Sequence, residues 1–265
     1  MGKVEFCALG SGSKGNSFAL KYGTKVMLVD AGFSRKEMLH RLELCGLDPA
    51  EILGVLLTHE HNDHVKGCRV LCNALEIPLY CSGRTAGYLQ KKNELPEKVT
   101  CFEPGDHFCI EDFDVNPFPV QHDAIDPVGF VIGCGTLKIG IATDLGEVNH
   151  LGRVRLRGCD ALVLESNYDR EMLYQSDRDL FLKRRINGRN GHLGNMDCAA
   201  ALPELLSDMT KLLMLVHVSS ECNTYDLVQS IGSEILHKSG RDRVQLTVAR
   251  QDAPTPLFHL EHEEK

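Results

Sequence analysis

Short apolar runs that stop at a metal-binding type of residue recur along this chain. Residues 25–29 run into Asp30, and 52–57 run into Thr58-His59-Glu60-His61-Asn62-Asp63-His64. Ile139-Gly140-Ile141-Ala142-Thr143 stops at Asp144, Ala161-Leu162-Val163-Leu164 at Glu165, and 212–216 at His217. A continuous apolar run of this length, bounded by polar or turn residues, reads as a buried strand. The pattern therefore predicts strands whose tips carry imidazoles and carboxylates. A further strand over 113–120 places His122 just beyond its end.

The elements between these runs fit a mixed α/β chain. Residues 3–9 predict a first strand, and 17–24 with 25–30 predict a hairpin turning at Tyr22-Gly23. Ser34 with Glu37 reads as a capping box opening a helix to about Cys45, where Gly46 stops it. Helices over 65–75 and 82–92 flank a strand over 77–81, an alternation expected of α/β proteins. Strands over 99–103, 107–110, 113–120, 128–134 and 137–143, separated by turn residues, predict one long antiparallel meander. Ser176 is expected to begin a helix with Asp179 near its start. A helix over 195–206 should face the core through Met196, Ala199, Ala200, Leu202, Leu205 and Leu206. A helix over 224–237 and a strand over 243–248 follow, and 251–265 is expected to be a loose tail. Neither a repeat nor a linker interrupts residues 1–265, so one domain is expected.

Composition narrows the class. With 265 residues, 43% hydrophobic and 25% charged, the chain can bury a sizeable core. A formal charge of −8 argues against a generic nucleic-acid coat but leaves room for a nuclease, because divalent ions would offset acidic ligands locally. The eleven cysteines form no C-x-x-C pair and suit free thiols in a reducing cytoplasm, as core fillers rather than ligands. Lys3 and Glu5 argue against a secretory signal, and no apolar run approaches ~20 residues, so no membrane span is expected. No residue pattern specifies an oligomeric state.

The 58–64 stretch is the centre of the chemistry. His59 and His61 are two apart, so in an extended segment their rings share a side. Asp63 and His64 follow at once, and a turn could aim them at a second point. That is ligand enough for parts of two metal sites, not for one closed structural zinc site. Imidazole and carboxylate donors suit zinc, manganese or iron. Asp30, at a buried strand end, reads as a supporter of ligands or as a turn aspartate. Gly10-Ser11-Gly12-Ser13-Lys14-Gly15 matches a dinucleotide fingerprint literally, but that motif must open a helix, and β-rich residues follow it here. No dinucleotide cofactor is expected; the loop could bind phosphate through backbone N–H groups or be a tight turn. Lys183-Arg184-Arg185-Ile186-Asn187-Gly188-Arg189 is the most basic stretch, and His192 follows it just before a helix N-terminus, a place that favours anions.

In this order, Asp30, the H-x-H-x-D-H run His59 to His64, His122, Asp144 and His217 resemble the metallo-β-lactamase superfamily over nearly the whole chain. The resemblance implies an α+β fold, the αββα four-layer sandwich, with the site at the edge between two sheets. It implies that His59, His61 and His122 hold one divalent transition metal, that Asp63, His64 and His217 hold a second, and that Asp144 bridges them. The Gly-Ser-Gly-Ser-Lys-Gly-Asn-Ser loop, Val29-Asp30-Ala31-Gly32-Phe33-Ser34, His122-Asp123-Ala124 and Gly191-His192-Leu193-Gly194-Asn195 look most like the YycJ/WalJ exonuclease family. The last run is also similar to a histidine motif of ribonuclease Z. That family pattern usually has Ser where Gly194 stands, which puts a hydroxyl role there in doubt. At 265 residues no added β-CASP or flavodoxin-like domain is expected.

The implied activity is phosphodiester hydrolysis, as a 5′ exonuclease on double-stranded DNA. The expected nucleophile is a hydroxide activated by two metals (Mn2+, Zn2+ or Fe2+). Asp63 would orient it or take its proton, His192 would face the charge developing on phosphorus, and Glu165 would orient His192. Ser13 and Asn16 in the glycine loop, with Arg184, Arg185 and Arg189, would contact substrate phosphates. The rival readings are a thioester or lactone hydrolase, a cyclic-phosphate phosphodiesterase, and a metal-binding regulatory module without turnover. His40, His107, His150, His237, His259 and His262 belong to no constellation in the sequence.

Overall fold

The computed structural model describes residues 3–261. The remaining tail residues, with His262, lie outside them. The first half of the chain runs β1 (Val4–Gly10), β2 (Ser17–Tyr22), β3 (Lys25–Val29), α1 (Arg35–Leu44), β4 (Ile52–Leu56), α2 (Asn62–Val65), α3 (Cys68–Leu75), β5 (Leu79–Ser82), α4 (Gly83–Lys91) and β6 (Val99–Phe102). The second runs β7 (Phe108–Ile110), β8 (Phe113–Pro119), β9 (Val128–Cys134), β10 (Leu137–Ala142), α5 (His150–Leu156), β11 (Ala161–Glu165), α6 (Arg170–Gln175), α7 (Leu180–Ile186), α8 (Asn195–Leu205), β12 (Leu212–Val216), α9 (Tyr225–Lys238) and β13 (Gln245–Val248). β14 (Phe258–Leu260) closes the chain.

The strands form two sheets, ordered β14-β1-β2-β3-β4-β5-β6 and β13-β12-β11-β10-β9-β8-β7. Phe6, Phe18 and Met27 of the first meet Phe113, Phe130, Ile139 and Met214 of the second in the core between them. The outer face of the first sheet packs Leu28 and Val55 on Met38, Leu42, Leu71 and Leu89 of its helices. The outer face of the second packs Leu162, Leu164, Leu213 and Leu215 on Leu156, Leu202, Leu205 and Val228. The result is the four-layer α+β sandwich. Strands β11 and β12 are covered on both faces, which is why they read as unbroken apolar runs.

Parallel pairing positions the site. β10, β11 and β12 run parallel in register, with Ala142 beside Leu164 and Glu165 beside Val216. β3 and β4 are likewise parallel, with Val29 beside Leu56. Within each sheet the carboxyl ends of these strands therefore fall together, so the residues that follow them emerge side by side. Ligand sites in such sheets form outside carboxyl ends.

Several expectations change in the structure. β6 does not open the meander: it pairs in parallel with β5 in the first sheet, and the antiparallel run begins at β7. The helix expected over 65–75 breaks into α2 and α3 at Gly67, whose N–H donates to the Ala31 carbonyl at 2.8 Å. A Cβ at Gly67 would lie 2.0 Å from the Phe33 carbonyl oxygen, so only glycine admits this approach. Ser176 ends a helix rather than starting one: α6, capped by Asp169, stops there, and Asp179 caps the separate α7. α5, capped by Asn149, is a further helix. On α8 the buried stripe is Cys198, Ala199, Ala201, Leu202 and Leu205, while Met196 and Ala200 face solvent. Among the described residues no helix is long and apolar enough to cross a membrane.

The expected loose tail is instead docked as far as it is described. Thr255 N–H donates to the Ala8 carbonyl at 2.9 Å, and its Oγ accepts from Ala8 N–H at 3.0 Å. β14 then extends the first sheet along β1. Thr255→Val keeps the shape and removes the acceptor of a buried N–H, which should cost about 1–3 kcal/mol. Urea unfolding measures this, and a midpoint equal to wild type would contradict the docking.

Candidate metal centre

The centre is built upward from Asp30. It is fully buried and stands beyond β3 with φ of 62°. Its Oδ1 accepts from Thr58 N–H at 2.8 Å, and its Oδ2 accepts from His64 Nδ1 at 2.7 Å. Thr58 Oγ donates to the same carboxylate at 2.9 Å and lies 3.0 Å from His59 Nδ1. An ionised carboxylate only accepts, so His64 carries a proton on Nδ1 and its Nε2 points away into the site. Burial raises the Asp30 pKa, against the opposing pull of His64. The backbone is equally tight here: a Cβ on Gly32 would fall 1.7 Å from the Asp63 carbonyl oxygen, which accepts from Asn16 N–H at 2.7 Å.

His59, His61 and His122 form one cluster, with potential ligand atoms all within 4.8 Å of one another. His122 follows β8 and donates from Nδ1 to the Gly191 carbonyl at 2.9 Å. Its Nε2 thereby faces His61 Nδ1, 3.3 Å away. The expected common side for His59 and His61 is seen, with ring centroids 4.7 Å apart.

Asp63, His64, Asp144 and His217 form a second cluster on the same criterion. α2 supplies the turn that carries Asp63 and His64 away from His61. His64 Nε2 lies 2.9 Å from Asp144 Oδ2, and His217 Nε2 lies 3.5 Å from Asp63 Oδ2. Asp144 and His217, like Asp30, have left-handed backbones, with φ of 52° and 56°. Such positions cost on the order of 1–3 kcal/mol each for non-glycine residues and cluster at functional sites.

Glu165, fully buried, fixes the far side. Its Oε1 accepts from both His192 Nδ1 and His217 Nδ1 at 2.8 Å. Its Oε2 accepts from Leu145 N–H at 2.9 Å and Leu193 N–H at 3.1 Å. Both oxygens are committed, so Glu165 positions its neighbours rather than exchanging protons with substrate.

The inward nitrogens and carboxylate oxygens converge on each other. His59 Nε2, Asp144 Oδ2 and His217 Nε2 are buried without a hydrogen-bond partner. Acceptors held against acceptors in a buried place are costly unless a cation lies among them. Burial pushes the His59 pKa well down, and the neighbouring His64 charge adds to it. For His64 and His217 burial works in the same direction, but the carboxylates around them together outweigh it, Asp144 with Asp30 for His64 and Asp144 with Asp63 and Glu165 for His217, and both rings are held well above the ordinary value. The negative charge that favours a proton there also favours a metal. The donor set, nitrogen and oxygen without sulfur, fits first-row divalent ions.

His192 sits beside this set. Its ring centroid is 5.2 Å from those of both His122 and His217. It does not cap α8: Gly194 is the cap residue and makes no side-chain bond, and a Cβ there would meet Tyr168 at 3.1 Å. The expected substrate contacts fare differently. Ser13 is exposed, whereas Asn16 is buried and already engaged, its Nδ2 lying 3.2 Å from Asp63 Oδ2 and 3.0 Å from His64 Nε2. Asn16 is therefore a support of the centre. Arg185 donates to Asp123 at 2.5 Å and Arg189 to Glu147 at 2.7 Å, while Arg184 is exposed.

Other supports were not singled out from the sequence. Ser11 Oγ accepts from His217 N–H at 3.0 Å and donates to Asn16 Oδ1 at 2.8 Å. Asn167 Nδ2 donates to the His217 carbonyl at 2.7 Å, and Glu60 Oε1 accepts from Ile125 N–H at 2.9 Å. Glu60 carried a signal, since a charged residue inside the histidine run needs a partner. Nor is His107 isolated: Nε2 lies 2.5 Å from Asp114 Oδ1 on the exposed face that also bears Cys109.

Comparison with known proteins agrees with this geometry. Residues 25–218 match the family model described as the beta-lactamase superfamily domain. Exodeoxyribonuclease YycJ of Bacillus anthracis is 33% identical over 239 residues, spanning 89% of this chain and 90% of that protein. Exodeoxyribonuclease WalJ of Streptococcus pneumoniae is 33% identical over 229 residues, 84% of each. The crystal structure of the metallo-β-lactamase-fold protein YhfI from Bacillus subtilis covers 98% of this chain and 100% of its own, with a TM-score of 0.73 at 17% identity, a likeness of fold.

Two variants test the centre by elemental analysis. Protein purified without chelator should carry about two transition metals per chain, as a two-metal site requires. His59→Ala combined with Asp144→Ala should abolish that load, and an undisturbed load would sink the ligand assignment. Glu165→Gln turns an amide donor toward groups that need an acceptor. It should weaken metal affinity by about 10–100-fold while the fold persists; unchanged affinity would deny Glu165 its positioning role.

Proposed function

We propose that this chain, which belongs to the metallo-β-lactamase superfamily and within it to the family of the YycJ and WalJ exodeoxyribonucleases, is a metal-dependent nuclease that hydrolyses phosphodiester bonds of DNA, from the 5′ end of a duplex. The observation that carries the reading is His192, held by Glu165 against both ligand clusters at once. His59, His61 and His122 would hold one divalent ion and Asp63, His64 and His217 the other, with Asp144 between. Bound there, the ions would supply Lewis-acid charge to a phosphoryl group and acidify water.

The chain's own groups do the rest. Asp63 is the most open of the site carboxylates, its side chain 21% exposed against 3% for Asp144 and none for Glu165. It is the one that entering water can reach, and it orients that water toward phosphorus. His192 Nδ1 is committed to Glu165, so Nε2 is the nitrogen left for substrate. Burial disfavours the charged ring, but Glu165 and Asp144 together outweigh it and hold the pKa above the ordinary value, which favours the ring form that carries a proton on Nε2. A preorganised donor of this kind favours the charge that develops on phosphoryl oxygens. Arg185 and Arg189 are held by Asp123 and Glu147 and keep further guanidinium donors for phosphates, as does exposed Arg184.

A duplex labelled at one 5′ end, assayed with manganese and zinc and again with chelator, tests the substrate. Mononucleotides or short products should appear from that end and vanish with chelator. Metal-loaded protein that ignores DNA and RNA but cleaves a thioester, a lactone or a cyclic phosphate would contradict the reading. His192→Ala and His192→Asn should keep both metals and lower kcat by on the order of 10²–10³ with little change in KM. Near wild-type single-turnover cleavage by both would remove His192 from the chemistry. Neutralising Arg184, Arg185 and Arg189 together should flatten the salt dependence of DNA binding, since fewer counterions are released. An unchanged slope would place the DNA elsewhere.

A further inference from the structure

α7 carries a face whose exposure packing does not explain. Leu182, Lys183 and Ile186 point inward, Ile186 and Leu182 packing with Tyr168 and Leu173, and Lys183 Nζ donating to the carbonyls of Tyr174 and Ser176. The opposite face presents Leu180, 69% exposed, Phe181, 80% exposed, and the exposed Arg184 and Arg185. Phe181 is the most exposed large apolar side chain among the described residues. On a helix Phe181 and Arg185 are neighbours at i, i+4, and Arg184 stands at i+3.

This face adjoins the metal centre. Arg185 Nε reaches Asp123 Oδ2, and Asp123 Oδ1 lies 3.4 Å from His122 Nε2. Helical side chains lean toward the N-terminus, so the reach of Arg185 to Asp123 runs back over the turn that bears Phe181. Phe181 therefore shares the helix face from which Arg185 reaches Asp123, the residue beside His122, and Arg184 and Arg185 follow it on that face. The apolar part is two side chains set among arginines, small for a protein-docking patch. Solvent-facing aromatics interleaved with basic residues are what a nucleic-acid strand uses: bases stack on the ring while arginines take the flanking phosphates.

We propose that Phe181 is a stacking ledge for a nucleobase of the DNA end, next to the phosphodiester in the metal centre, with Arg184 and Arg185 on the adjoining phosphates. This rests on the nuclease reading above. It makes Phe181 a positioning residue for the substrate end.

The test crosses enzyme variants with substrates lacking one base. Wild type, Phe181→Ala and Phe181→Trp, all metal-loaded, are assayed on a duplex with an abasic site at the first, second or third nucleotide from the 5′ end, on the intact duplex, and on bis(p-nitrophenyl) phosphate. Phe181→Ala should raise KM for intact duplex by about 5- to 150-fold, the range of one lost base–aromatic stack. It should leave bis(p-nitrophenyl) phosphate hydrolysis unchanged, and Phe181→Trp should bind intact duplex like wild type. In wild type one abasic position should reproduce the loss, and the same position should add nothing in Phe181→Ala. Equal losses by Phe181→Ala on every abasic duplex, or no loss on intact duplex, would overturn the ledge while leaving the nuclease standing. Wild type that hydrolyses bis(p-nitrophenyl) phosphate but neither binds nor cleaves DNA would overturn the nuclease reading, and the ledge with it.

Discussion

Everything at this centre depends on where the ring protons are. His64 gives its Nδ1 proton to Asp30, His122 to the Gly191 carbonyl and His217 to Glu165. Each partner can only accept, so the second nitrogen of each ring faces inward: that of His64 toward Asp144, that of His217 toward Asp63 and that of His122 toward His61. Water could satisfy such groups at a surface. In a buried site the convergence is stable only with positive charge in its midst. The positioning groups thus select for a cation before any substrate arrives.

The fold meets the cost of this arrangement by over-determining it. Three site residues, Asp30, Asp144 and His217, stand in left-handed backbone at or just past strand ends. His217 is held through its N–H by Ser11 and through its carbonyl by Asn167. Asp30 N–H donates to the Leu56 carbonyl across the parallel β3–β4 pair. The two sheets contribute unequal halves: β3 and β4 lead into Asp30 and the His59–His64 run, while β8, β10, β11 and β12 lead into His122, Asp144, Glu165 and His217. Strand register sets donor spacing, which no loop alone could hold so closely.

The strand-tip pattern was legible because strands buried on both faces leave uninterrupted apolar runs, and the ligand types at their ends are conspicuous against them. The pairing of His59 with His61 followed from extended spacing alone. The four layers came from family resemblance, since apolar runs show that strands are buried but not what covers them. Long-range pairings were invisible: Ser11 finds His217 across 206 residues and Thr255 finds Ala8 across 247. Hydroxyls and amides are too common in a sequence to be singled out for such contacts. β6 lies in the other sheet from the one its sequence suggests, because a four-residue strand with two exposed positions carries no signal of its partner. The basic stretch reads as a row of phosphate contacts, and nothing in it shows that Lys183 is buried or that Arg185 and Arg189 are held by acidic partners distant in sequence.

The central claim is that the two donor clusters are two metal sites with Asp144 between them. Anomalous X-ray diffraction at the manganese and zinc edges, on crystals grown with each metal, tests it most directly. The account predicts two peaks about 3.5–4 Å apart, one among His59, His61 and His122, the other among Asp63, His64 and His217, with Asp144 reaching both. A single peak, or peaks away from these residues with the clusters closed on themselves, would contradict it.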